Sequence, residues 1–466
     1  MLSNTCFQPR APSPLHTALR VAAALTIAPG GLAAQADTGR SVVPHHADHP
    51  GAWLVGAQIN VIGQSLGRFT SPYTGSNSLT PVGDTQASEA YGVYLGARLF
   101  RGLEAYIDVE MIRGSGISHV TGLGGITNGD VVRQGSVDLG QNPYLARGFV
   151  RYVRGLAGAG YDTVARAQDQ VPGVVARHRL EVTIGRLAVS DVMDLNRYAG
   201  STRTQFQNWG LFQNTAWDYA ANTRGYSNGV VLAWIEPTWA LRVAAFQMPT
   251  RANGNVLDPS IGMARGDQAE LTLTPRNSGG TVVRLLGYVN HAQMGSYPAA
   301  LDRARALGTR PDIVADDQPR RTKSGFGINI EQPLADAGET GIFARLGWND
   351  GKTESFAFTE VDRHASLGFQ ASGIRWGRND DRLGVGFVAH GLSDDHRAYL
   401  EAGGSGFLLG DGRLNYGCEC IVEAYYRVQL GPWMQLTPDV QHVWNPGYNR
   451  DRGPATVLAI RVNARY

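Results

Sequence analysis

Only three cysteines occur in 466 residues, too few for a disulfide-built scaffold. Excess charge is also missing: the net value is +2, so no acidic or basic field points to nucleic acid. Past residue 36 no apolar run approaches the ~20 residues that a membrane helix needs, which excludes a helical membrane protein. Neither a Walker-type phosphate loop nor a nucleophile-elbow motif is present. None of these absences excludes a β-barrel, which hides its apolar surface in alternation. Glycine, in contrast, is abundant at 59 residues.

The first residues have the composition of a secretory leader. Arg10 and Arg20 are basic, no acid precedes Asp37, residues 21–28 are apolar, and Ala34-Gln35-Ala36 suits small-x-small cleavage. The expected division is a signal peptide at 1–36, an N-terminal tail at 37–51 and a barrel at 52–466. Loss of the leader would remove two positive charges, bringing the net charge to zero, and would remove Cys6. Cys418 and Cys420 then remain. In an extended strand their Cα atoms lie ~6.5–7 Å apart, near the upper limit for a bridge, so a disulfide would need a local bend.

Period-two alternation recurs along the chain. Leu103, Ala105, Ile107, Val109 and Met111 share one face, while Glu104, Tyr106, Asp108 and Glu110 share the other. A soluble sheet can alternate too, but here one face is almost purely apolar and the other heavily charged, which suits lipid outside and water inside. The pattern predicts about sixteen strands, near 52–63, 88–100, 102–113, 143–155, 178–187, 226–236, 238–248, 268–275, 280–290, 322–333, 340–350, 363–376, 380–391, 417–430, 432–444 and 454–466. Short turns alternate with long connections at 64–87, 114–142, 188–225, 249–267, 291–321 and 392–416. Short periplasmic turns and long outer loops have this parity. The connection 156–177 breaks it and is expected to be a periplasmic excursion or a strand misplaced. Tyr91, Trp239, Trp433 and Trp444 lie near expected strand ends, where an interfacial girdle belongs. The last strand alternates up to Tyr466, like the terminal signal of outer-membrane barrels. The fold class is therefore all-β: a transmembrane antiparallel up-and-down barrel, with long outer loops folding into the lumen.

Charged residues cannot face hydrocarbon cheaply, so the polar faces must line water. Glu104, Asp108, Glu110, Arg147, Arg151, Glu423 and Arg427 are the expected pore wall, with Arg179 and Glu181 on a further strand. Such charges either set up a transverse field that suits polyhydroxylated solutes or pair with one another. Loop 188–225, far longer than strand closure needs, is the candidate constriction. Its polar members are Asp191, Asp194, Asn196, Arg197, Arg203, Gln205, Asn208, Asp218 and Arg224, interleaved with Tyr198, Phe206, Trp209, Phe212, Trp217 and Tyr219. Rings stack on the C–H faces of sugars, and carboxylates, amides and guanidinium groups match their hydroxyls; equally, the aromatics can pack the loop on the wall. His45, His46 and His49 read as a solvated tail rather than a metal site. Ser393, Asp394, Asp395 and His396 are triad-type residues, but sequence neighbours rarely form a triad. No catalytic residue, metal or cofactor is expected.

Several segments carry a resemblance to a known family. They are 71–79 (SPYTGSNSL), 196–198 (NRY), 203–209 (RTQFQNW), 217–221 (WDYAA), 224–226 (RGY), 350–356 (DGKTESF) and 445–454 (NPGYNRDRGP). Spread over nearly the whole mature chain, they resemble the carbohydrate-selective porins of the OprB type. The Cys418–Cys420 pair and the tail 37–50 fall outside the resemblance. It implies a sixteen-stranded outer-membrane barrel whose inward loops narrow a passive path for glucose and other carbohydrates. The implied partners are small-molecule sugars, outer-membrane lipid and lipopolysaccharide, and the barrel-assembly machinery; nucleic acid is not among them. A general porin, or a barrel-based enzyme or adhesin, are the alternatives.

Overall fold

The computed structural model describes residues 51–131, 139–356 and 359–466; the leader, the tail histidines His45, His46 and His49, and most of the N-terminal tail lie outside them. The strands are β1 (Trp53–Leu66), β2 (Asp84–Phe100), β3 (Leu103–Gly114), β4 (Tyr144–Gly155), β5 (Tyr161–Val164), β6 (Gly173–Ala176), β7 (Arg179–Leu187), β8 (Ser227–Ile235) and β9 (Trp239–Gln247). They continue with β10 (Arg265–Leu273), β11 (Val282–Met294), β12 (Gln318–Ala335), β13 (Thr340–Asn349), β14 (Arg363–Ser372), β15 (Arg382–Gly391), β16 (Glu419–Gln429), β17 (Met434–Trp444) and β18 (Ala455–Arg465). All but β5 and β6 join in one closed antiparallel barrel, in chain order, with β1 sealed against β18 from Gln58↔Arg465 to Leu66↔Val457. Closure removes every sheet edge, which lipid requires because no water can satisfy a free strand there.

The alternation expected from sequence is the one observed. Along β3, Glu104, Tyr106, Asp108 and Glu110 are buried in the interior while Ile107 and Val109 are exposed on the outside. Val93, Leu95, Ile184, Leu232, Leu285, Phe326, Leu346, Leu367 and Leu458 continue that outer apolar band. So continuous an exposed apolar surface marks a lipid contact. Aromatic pairs lie at its rims, among them Trp234–Trp239 at 5.7 Å and Phe326–Trp348 at 5.5 Å. Among the described residues no helix is long and apolar enough to span a membrane.

Sixteen barrel strands occupy the sixteen expected places. Three run four residues further at their outer ends than the alternation suggests: β2 begins at Asp84, β11 ends at Met294 and β12 begins at Gln318. There the strands rise above the hydrocarbon, both faces become polar, and the pattern vanishes from the sequence. The expected strand 363–376 stops at Ser372, because Gly373–Trp376 form a 3-10 turn capped by Ser372. Tight turns rely on glycine where φ is positive: Gly102, at φ 82, joins β2 to β3, and a Cβ there would press on the carbonyl of Val153. The irregular connection 156–177 is a real excursion, a separate hairpin of β5 paired with β6.

Candidate pore constriction

Wall charges face each other in register. β3 pairs with β4 so that Glu104 lies opposite Arg151 and Asp108 opposite Arg147. The side chains close as ion pairs, Arg151–Glu104 at 2.7 Å and Arg147–Asp108 at 3.2 Å, and Arg98 adds a second cation to Glu104 at 3.2 Å. Arg179 and Glu181 pair at 2.6 Å on β7. These charges of β2, β3, β4 and β7 thus pair with one another.

Loop 188–225 turns inward and fills much of the bore that a sixteen-stranded barrel would leave open. Carboxylates of the wall hold it by accepting its backbone N–H groups. Glu270 on β10 takes Asp194 N (2.6 Å), Glu331 on β12 takes Arg197 N (2.7 Å), and Glu423 on β16 takes Gln207 N (2.5 Å) and Asn208 N (2.9 Å). Charge-assisted bonds of this kind are the strong ones, and each satisfies a buried donor that would otherwise be costly. Wall glycines make room for the loop. A Cβ at Gly347 would collide with the Asn214 amide, and one at Gly341 with the Tyr198 ring.

The expected loop residues divide into two groups. Asp194, Asn196, Gln205, Asn208, Trp217 and Asp218 are buried. Asp194, at φ 56, pairs with the buried Arg345 at 3.1 Å and accepts from Asn214 N and Asn329. Asn196 donates to Asn329 and accepts from Tyr198 N. Gln205 accepts from Gly200 N and donates to the Arg197 carbonyl. Asn208 caps the single helical turn Trp209–Phe212 and donates to Gln441. Asp218 lies 3.7 Å from Lys323 and accepts from Phe356 N. The aromatics pack: Phe206 sits edge-on to Phe343 and Tyr425 at 5.4 and 5.0 Å, Trp209 lies 5.5 Å from Phe212, and Trp217 lies 5.2 Å from Tyr219. These residues hold the loop on the wall.

Asp191, Arg197, Arg203 and Arg224 are only partly buried. Asp191 grips Arg147 with both oxygens, at 2.7 and 2.8 Å. Arg203 reaches Asp130 at 2.7 Å and Glu110 at 3.3 Å. Arg224 lies 3.9 Å from the centre of the Tyr144 ring. On the wall, Glu423 is consumed by the loop, while Arg427 stands directly across from Arg382, and its Nε has no protein partner. Like charges directly opposite are unfavourable unless solvent or solute screens them.

Asp130 was not legible as a site residue. It belongs to the second outer loop, whose residues 115–131 also dip into the lumen: Asn60 donates to Asp130 (2.7 Å) and Gln64 to the Thr127 carbonyl (2.9 Å). Burial raises the Asp130 carboxyl above its ordinary value, against the pull of Arg203. Nothing in the sequence of this glycine-rich stretch distinguishes an inward from an outward course.

The triad-type residues lie at the start of one helix. Ser393 caps the helix Asp394–Glu401 by accepting from His396 N, and its hydroxyl donates to the Gly351 carbonyl at 2.6 Å. His396 is fully buried, stacked on Tyr297 and paired with Asp362 at 3.0 Å. Although burial alone would raise it, the Asp362 carboxyl is held down to about 2 by His396, Lys323 and the Ser393 N–H. Cys418 and Cys420 are free thiols with sulfurs 3.4 Å apart. Among the described residues no cluster of metal-ligating side chains occurs.

Comparison with known proteins agrees with this architecture. Residues 76–466 match the family model described as "Carbohydrate-selective porin, OprB family". No curated protein sequence matches. Among solved structures, OprB of Pseudomonas putida superposes with a TM-score of 0.66 at 16% identity, covering 89% of this chain and 94% of that one. The outer-membrane channel DcaP of Acinetobacter baumannii gives 0.48 at 8% identity, covering 89% and 97%. OmpF of Salmonella typhi gives 0.47 at 11% identity, with the same coverage.

Proposed function

The chain belongs to the carbohydrate-selective porins of the OprB family, and from that membership we propose how its lumen works. It is an outer-membrane porin through which carbohydrates diffuse down their gradient. Family and fold point to a channel rather than an enzyme. In our reading, segment 115–131 and loop 188–225 set the bore, and solute passes beside Asp191, Arg197, Arg203, Arg224, Arg147 and Arg151. The buried loop residues act indirectly, by fixing where those groups stand.

One observation carries this reading: the ion pairs Arg147–Asp191 and Arg203–Asp130 join inward loops to each other and to the wall, each with partly open edges. Paired groups offer both donors and acceptors with little net charge. That suits a neutral polyol, whose hydroxyls do both, better than an ion. Contacts of this kind are individually weak, as transit requires, because a solute held tightly would not leave. The proposed division keeps 1–36 as a cleaved signal, 37–51 as a tail and 52–466 as the barrel. The apolar band would meet outer-membrane lipid and lipopolysaccharide, and the barrel-assembly machinery would insert the chain.

Swelling of proteoliposomes in isotonic sugar tests the proposal. Glucose should enter faster than an ionic solute of similar size, such as succinate. Equal rates would leave a general porin.

A further inference from the structure

The hairpin of β5 and β6 joins the periplasmic ends of β4 and β7, yet its tip does not stay in the periplasm. Val171 N donates to the Tyr106 hydroxyl at 3.2 Å, and Gln168 Nε2 donates to Asp108 Oδ2 at 2.7 Å. Arg98 donates to the Pro172 carbonyl at 3.3 Å, and Arg166 donates to the Val55 carbonyl on β1. Tyr106 and Asp108 line the interior of the barrel, and Ala167 and Val171 are buried there with them. Asp108 lies five residues in from Leu103, the periplasmic end of β3. At ~3.3 Å per residue and a tilt of about 40°, the tip has climbed roughly 13 Å, about half of a ~25 Å apolar band.

At that depth it meets the outer loop. Arg147 receives Asp191 from loop 188–225 at 2.7 Å, Asp108 from the wall at 3.2 Å and Asp169 from the hairpin at 3.4 Å. One guanidinium, with five N–H donors to share, joins segments that enter from opposite faces of the membrane. The Asp108 and Asp169 carboxyls meet beside it and share a hydrogen bond, while Gln168 and Asp169 stay partly open at the tip. Carboxylate oxygens accept O–H groups, and a sugar in transit carries several.

We propose that this hairpin is the inner half of the solute filter, with Gln168 and Asp169 contacting carbohydrate at mid-membrane and setting, with Arg147 and Asp108, the size of sugar that passes. The inference rests on the porin reading and adds a specificity element from the periplasmic side. It makes the bore narrow over a length rather than at one ring.

Two variants of the full chain test it in planar bilayers and proteoliposomes. In the first, 165–172 is replaced by Asn-Gly, a two-residue turn suited to join Val164 directly to Gly173. In the second, Gln168→Ala and Asp169→Ala are combined, which keeps the hairpin whole. The shortened channel should conduct at least about two-fold more than the parent. It should also raise the maltotriose-to-glucose swelling ratio. The double variant should weaken saturable block of the ion current by glucose. Parent-like conductance, size ratio and block in both variants would overturn the inference while leaving the porin reading intact. A parent that conducts no ions and admits no sugar would overturn both.

Discussion

Glu423 on the barrel wall accepts the backbone N–H of Asn208 at 2.9 Å and thereby ties the centre of loop 188–225 to β16. The same carboxylate also takes Gln207 N, so it is spent on the loop. A charge that reads from sequence as pore lining is in fact an anchor. The anchors Glu270 and Glu331 act alike on other parts of the loop. The course of the loop is therefore set by how its backbone is fastened to wall acids.

Glu423→Ala should free the loop without unmaking the barrel. Leaving two buried N–H groups unpaired costs about 1–3 kcal/mol each. Single-channel records should show larger and noisier conductance, and the loop should be cut faster by trypsin at Arg203. A quiet parent-like channel would remove the anchor role.

Arg203→Ala should change ion preference. It removes the cation that Glu110 and Asp130 share at 3.3 and 2.7 Å. The constriction then carries surplus negative charge, and cation-over-anion permeability should rise about two-fold or more. The zero-current potential across a potassium chloride gradient reads this directly. A shift toward anion preference, or none, contradicts the placement of Arg203 at the bore.

Docking of the hairpin should depend on pH. Burial and the neighbouring carboxylates Asp108 and Asp191 push the Asp169 carboxyl well above its ordinary value, against Arg147. A raised folded value means that the docked hairpin favours the protonated acid. Docking is unpenalised below the free-carboxyl value of about 4, weakens as pH rises above it, and is weakest above the raised value. Conductance should therefore increase from acid to alkaline pH, and Asp169→Asn should flatten the rise. Identical profiles for the two proteins would rule Asp169 out as the cause.

A second titration belongs to the outer loops. Glu354 accepts Gly295 N at 2.8 Å and faces Asp317 across two loops; burial first, then Asp317, raise its carboxyl to about 8. With the folded value above the ordinary 4.5, the clasp is unpenalised in acid, weakens as pH rises between these values, and is fully penalised above about 8. Tryptic nicking at the exposed Arg305 should accelerate between pH 7 and 9 relative to an unfolded reference substrate. Glu354→Gln, which cannot ionise, should remove that acceleration.

The barrel was legible in the sequence because lipid imposes a strict rule on every strand: apolar outward, polar inward. Glu104 to Met111 obey it without exception, and the long loops have the parity of outer loops. The constriction was legible only as a region. Composition singled out loop 188–225 with Asn208, Trp217 and Asp218, but whether a side chain packs on the wall or faces solute depends on what lies opposite, such as Lys323 for Asp218, more than a hundred positions away. Asp130 and the two strands of the hairpin were hidden, although 156–177 stood out as an irregular connection. β5 and β6 are four residues each, too short for alternation to declare itself, and Asp169 acquires its meaning only beside Arg147. The Glu423 anchor was misread because a carboxylate on a lumen face has the same signature whether it meets water or backbone.

The central claim is a narrow, paired-charge path selective for neutral sugars. Single-channel conductance in a planar bilayer, with glucose, maltose and succinate titrated in turn, tests it most directly. The expected result is stepwise ion conductance that a sugar blocks saturably and succinate does not. Conductance indifferent to every solute, or blocked by succinate alone, would contradict it.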